Sequence, residues 1–437
     1  MKINHWLHNT KFRHSLNMSF MDGVFASLML GFTANYITPF ALLLKAKVFQ
    51  IGLLSSIPQL IGSVLQLKSA EIIEMMKSRV RTITLFVLLQ ALTWFAVLLL
   101  IFSPEKIRVE LFILLIIINT ALNSLSATSW ASLMGDTVDK YKYGEYFSWR
   151  GRIMGFVTLF SGFAAGLFLY LEEDKLLAFL IIFGLAGLCR VISGLYIGRM
   201  EDIPVKTEKS KEFGYLEFIS RIRESNFARF VMYVSLMNFA VNLASPFFAV
   251  YMLEELKFKY STYTIIITAG ALAGLLLLTF WGNFSDRFGN VKIIRTTSRL
   301  VIIFPLLWLL TKNPIHLVLI NAFAGYIWAG FNLTAVNFIY DSASTECRTR
   351  CIAYFNFTNG VFIFMGAFLG GWLATHIPRI VLNSNIATLF LISGIARFLV
   401  VAFFINSFHE VRPVSEIKDG ELLYIALGIK PMSSVND

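Results

Sequence analysis

Two six-residue stretches place the same polar groups at the same spacing. NYITPF (35–40) and NLASPF (242–247) each begin with Asn, carry a small hydroxyl fourth, and end in Pro-Phe, 207 residues apart and inside apolar runs. An amide beside a hydroxyl offers hydrogen bonds without charge. Inside a membrane such groups face protein or water, so Asn35 and Asn242 suit either contact with an uncharged solute or adhesion between helices. Both readings stay open. Pro39 and Pro246 each remove a backbone hydrogen bond and bend or loosen their helices. Thr38 and Ser245 are expected to satisfy the freed carbonyls.

Other chemistry is sparse. Cys347 and Cys351 form a C-x3-C, with Cys189 the third cysteine, but no second pair or nearby His completes a metal set. The six histidines fall in tails or near the ends of apolar runs. No catalytic residue, metal or cofactor is expected. Among carboxylates, only Asp22 enters an apolar run away from its far end, while Asp136, Asp286 and Asp341 end theirs. A proton-coupled carrier usually needs a buried titratable group. Asp22 is the sole candidate; the favoured reading places it near a helix N-terminus, as a carboxylate helped by the helix dipole. Facilitated diffusion, or coupling without a central carboxylate, follows.

These residues must be positioned by membrane helices. The chain is 57% hydrophobic and 15% charged, with a mean hydropathy of +0.68 and 42 Phe. Twelve runs can cross a bilayer: 18–44, 50–70, 82–102, 110–134, 149–170, 176–198, 229–253, 262–283, 297–312, 315–339, 352–376 and 384–408. The first lacks a small-residue cleavage site and reads as a retained helix. With the N-terminus inside, 27 of the 38 Lys and Arg fall on the cytoplasmic side and nine opposite, which puts both termini in the cytoplasm of a multi-pass cytoplasmic-membrane protein. That sorting accounts for the net charge of +11 without nucleic acid.

The halves read as copies. Arg190 and Arg397 are also 207 apart, Asp136 and Asp341 are 205 apart, and YF at 146–147 recurs at 354–355. The expected fold is all-α, with twelve transmembrane helices in two six-helix pseudo-symmetric bundles. The division is 1–198, a cytoplasmic linker 199–228, 229–408, and a polar, poorly ordered tail 409–437. From Tyr215 the linker suits a short interfacial helix. Such parallel repeats place a solute site between bundles near the midplane.

Between the eighth and ninth runs the loop reads WGNFSDRFGNVK. Gly282, Asp286, Arg287, Gly289 and Lys292 match G-x-x-x-D-R-x-G-x-x-[RK], so with twelve spans and a 6+6 repeat the chain resembles the major facilitator superfamily. The first-half loop SAEIIEMMKSRVR is degenerate, with Glu74 and Lys77 at the Asp and Gly positions. The resemblance implies a transporter working by alternating access. It would act as a monomer in the lipid bilayer and carry a small organic solute. Asp286 would accept N–H groups at a neighbouring helix start or pair with an Arg, latching one conformation. Asp136 against Arg150 or Arg152, and Asp341 against Arg348 or Arg350, would be further gate pairs or structural ones. Arg190 and Arg397 would reach the cytoplasmic surface. Gly151, Gly155, Gly162 and Gly166, with Gly366, Gly370 and Gly371, would let backbones approach. The cavity-lining spans would present Asn35, Tyr36, Asn119, Asn123, Asn238, Asn242, Trp328 and Asn332 to an uncharged or zwitterionic solute. The alternative is a lipid flippase or a transporter-like sensor of the same fold.

Overall fold

A computed structural model describes residues 12–67, 78–138, 143–203, 215–343 and 348–415. Glu74, Lys77 and Cys347 lie outside them. Among the described residues, twelve helices are long and apolar enough to span a membrane: α1 Arg13–Leu43, α2 Val48–Leu67, α3 Arg79–Phe102, α4 Glu105–Thr137, α5 Tyr146–Leu171, α6 Lys175–Ile197, α7 Asn226–Glu255, α8 Tyr260–Phe288, α9 Asn290–Leu310, α10 Pro314–Ser342, α11 Arg350–His376 and α12 Asn385–Phe404. A short helix, Tyr215–Ser220, precedes α7. Large apolar side chains such as Leu99, Phe160 and Phe403 are exposed, as a lipid-facing surface requires.

The chain forms two compact units. One comprises 1–209, 246–268 and 363–375; the other comprises 210–245, 269–362 and 376–437. Helices α7, α8 and α11 thus contribute to both. In the first unit Phe40 packs against Phe112, Phe179 and Phe183. In the second, Phe230 packs against Phe338 and Phe408. Within the first unit α1 and α5 meet almost backbone to backbone. A methyl group on Gly31 would strike Ser161 and the Thr158 carbonyl, and one on Gly162 would lie 3.3 Å from the Gly31 carbonyl.

Helix α1 is broken at the predicted place. A regular helix ends at Thr33, three residues turn, and a second begins at Ile37 with Pro39 in its first turn. Pro39 leaves the Asn35 carbonyl, four residues back, without its helical donor. The Tyr263 hydroxyl donates to that carbonyl at 2.7 Å. The donor is therefore a tyrosine from the start of α8 and not the neighbouring Thr38. Helix α7 breaks correspondingly: its regular part ends at Asn242, and Pro246 caps the next turn.

Candidate functional site

A chain of buried polar groups crosses the first unit. Asp22 accepts from the Ser193 hydroxyl at 2.7 Å and lies 3.7 Å from Arg150. Arg190 donates to Ser193 at 3.1 Å and to Gln90 at 2.7 Å. Gln90 donates to Asn119, which donates to Thr93. Asp22 stands nine residues beyond the start of α1 and is 4% exposed, so ion pairing and hydrogen bonding hold it, not a helix N-terminus. Arg190 and Arg397, 6% and 2% exposed, stay inside the protein instead of reaching its surface. Arg397 donates to the Val301 carbonyl. The second repeat has kept the arginine with a carbonyl as its described acceptor.

The aspartates ending α4 and α10 are held alike. Asp136 pairs at 2.8 Å with Arg79, the first residue of α3. Asp341 accepts at 2.7 Å from Asn290, the first residue of α9. The same position thus holds the same aspartate in each repeat, with Arg in one and Asn in the other. Asp341 draws its cation from the tail, where Arg412 lies 3.0 Å away. Asp136 has Arg79 in place of the expected Arg150 or Arg152; Arg150 serves Asp22 and stacks over Trp130, and Arg152 is exposed.

The loop motif is organised differently from expectation. Gly289 has φ +86° and precedes α9, a conformation that favours glycine. The N–H of Val291 at that helix start is taken by Glu410 at 2.9 Å, not by Asp286, which is exposed. A methyl group at Gly289 would collide with the Glu410 carboxylate. Arg412 also donates to the Ser285 carbonyl, and the Ser415 N–H to that of Arg287. Arg287 lies over Phe288. Gly282 and Lys292 are part-buried beside this loop. Residues 409–415, expected to be poorly ordered, instead form a strap over the loop.

The other predicted solute contacts divide into two groups. Tyr36 is buried, donating to the Gly162 carbonyl and lying 3.3 Å from the Thr264 hydroxyl. Asn119 is satisfied within the polar chain, Asn238 donates to Asn359, and Asn242 donates to the Asn238 carbonyl. Asn35 is exposed, with its carbonyl engaged by Tyr263. Asn123 and Asn332 are exposed and, among the described residues, have no side-chain hydrogen bond. Trp328 is half-buried, edge-on to Phe331. Sequence reading misses Arg79, Gln90, Ser193, Tyr263 and Arg412 as structural participants. Gln90 alone carries a signal, an amide inside the apolar run of α3.

Long apolar helices, a repeated aspartate clasp and a repeated helix break define a duplicated, multi-pass membrane protein. The sequence signature of the Major Facilitator Superfamily matches residues 230–431. No curated protein matches in sequence. Among solved structures, the nucleoside transporter NupG superposes with a TM-score of 0.70 at 15% identity, covering 90% of this chain and 99% of that one. An auto-inhibited POT family peptide transporter gives 0.69 at 12%, covering 93% and 99%. A bacterial homologue of the iron transporter ferroportin, in an inward-facing state, gives 0.66 at 13%, covering 90% and 98%. The second half of the chain thus carries the signature of the Major Facilitator Superfamily, and the fold throughout is similar to that of transporters of known structure.

Proposed function

We propose that the protein is a transporter, not an enzyme, carrying a small uncharged or zwitterionic organic solute across the cytoplasmic membrane by alternating access, with both termini cytoplasmic. The observation that carries the reading is a pair of exposed amides on α4 and α10, the helices that end in the repeated aspartates. Asn123 lies thirteen residues before Asp136 on α4 and Asn332 nine residues before Asp341 on α10, one helical turn apart in the register that the aspartates set. Both are exposed and without a side-chain partner among the described residues. An amide turned to lipid at this depth is costly, so each faces water or solute. Amides bind solute by uncharged hydrogen bonds, and Trp328, one turn before Asn332, adds a face for stacking. In that register Trp328 is the counterpart of Asn123, while Asn119 serves the bundle. The nucleoside, peptide and iron carriers of similar fold support transport as the activity and leave the solute class to these side chains.

The test is counterflow in proteoliposomes, with solutes first selected by thermal shift against a metabolite library. A carrier exchanges labelled for unlabelled solute; a channel does not. Asn123→Ala and Asn332→Ala are expected to raise the half-saturating concentration about tenfold each, the loss of one or two solute hydrogen bonds, with melting temperature unchanged. Equal half-saturation in wild type and both variants would remove these residues from the solute path. Flux without exchange would overturn the carrier reading.

A further inference from the structure

The duplication supplies an internal control for a recess on the first unit. Lys45 and Lys47 follow α1, as Lys257 and Lys259 follow α7, and each pair leads directly into the next helix. Lys45 and Lys257 even share left-handed backbone, at φ 67° and 55°. In the second repeat Lys257 is paired with Glu254 at 3.4 Å, and Glu255 follows. Counted back from Lys45, Leu42 and Leu43 stand in place of these two glutamates. Lys45 and Lys47 instead line a recess of about 370 Å³ with Lys106 and Arg108 from the start of α4. Among the described residues, no side-chain hydrogen bond or ion pair engages Lys45, Lys47 or Lys106.

The negative groups do not cancel this charge. Glu110 accepts from Gln50, which in turn accepts from the Lys47 N–H; with Glu105 it sets two carboxylates against four cations, an excess of two positive charges. Arg108 is directed to the carbonyls of Ile101 and Ser103. Topology does not explain the cluster either. On the proposed orientation this end is the outer face, where sorting thins Lys and Arg. Yet four of the nine basic residues on that side line this one recess. Leu43, Leu44 and Leu176 give it an apolar wall, and the exposed Phe102 and Leu177 adjoin it in sequence on the neighbouring elements.

We propose that this recess binds a phosphate-type anion, supplied either by an anionic lipid headgroup or by a free phosphate ester. Lysines act as flexible point charges and suit a multiply liganded phosphate. The volume falls in the range of small-molecule sites. The apolar wall suits the first carbons of a lipid's acyl chains.

Native mass spectrometry of the full-length protein in detergent tests this without any flux, so its outcome is separate from that of the transport reading. The probes are short-chain phosphatidylglycerol, short-chain phosphatidylcholine and glycerol 3-phosphate. One phosphatidylglycerol is expected per chain, with binding about tenfold weaker in K45Q/K47Q/K106Q and weakened by salt. Phosphatidylcholine should bind no better to wild type than to the triple variant. Glycerol 3-phosphate binding as tightly as the lipid makes a free ester the ligand; its failure to bind makes the headgroup the ligand; both outcomes uphold the site. Failure of both anions to bind wild type, equal binding to the triple variant, or an equal loss in K257Q/K259Q overturns it.

Discussion

Asp22 shows how partners decide what a buried carboxylate does. Ser193 donates to one of its oxygens, Arg150 approaches the other, and Arg190 reaches it through Ser193. Two arginines therefore depend on one aspartate in a site closed to water. Breaking such a buried pair from one side leaves the other charge uncompensated. Asp22→Asn keeps the shape and the Ser193 contact but leaves both arginines without their acid. It is expected to lower stability by about 3 kcal/mol, read as a fall in melting temperature in detergent. If the carboxylate is structural, counterflow per folded molecule persists, and a pH gradient drives no accumulation in either protein. Wild-type accumulation driven by pH that vanishes in Asp22→Asn would instead make Asp22 the proton carrier.

At the scale of the element, the break in α1 joins the repeated Asn-Pro stretch to a second helix. Pro39 withholds an N–H from the Asn35 carbonyl, and the Tyr263 hydroxyl supplies the missing donor. Helix break and tyrosine are then energetically one feature. Tyr263→Phe alone strands a part-buried carbonyl and should cost about 1–2 kcal/mol. Pro39→Ala returns a backbone donor four residues on. In that background Tyr263→Phe should cost less, giving a coupling of about 1 kcal/mol in a double-mutant cycle of chemical or thermal unfolding. Strictly additive effects would mean that the two residues act independently. The break is legible in sequence because proline dictates it locally. Its satisfaction is not, because Tyr263 lies 228 residues away and sequence spacing does not reveal which hydroxyl arrives.

Over the whole molecule, the same division between local and distant information recurs. Twelve spans and their duplication are readable because hydrophobic length and ordered repeats are properties of the chain. The start of α9 is not: it begins at Asn290, seven residues before the apolar run, since Thr296, Thr297 and Ser298 are buried polar residues that hydropathy assigns outside or to the edge. The tail departs from expectation for a related reason. Its composition is polar, but Glu410 and Arg412 find partners on α9 and α10. The repeats explain why Arg412 matters. Arg79 brings its own charge to Asp136, whereas Asn290 brings none to Asp341, and the strap provides it. Asp341→Asn should therefore release the strap, while Asp136→Asn leaves it in place. Hydrogen exchange of residues 409–415 should quicken severalfold in Asp341→Asn and in Arg412→Ala, as expected when about 1 kcal/mol of a half-exposed ion pair is lost. Glu410→Gln, which weakens the acceptor at the α9 start without touching the ion pair, should quicken it less. Unchanged exchange in Asp341→Asn would show that backbone contacts from Ser415 and His409 hold the strap unaided, and that the charge missing at Asn290 needs no replacement.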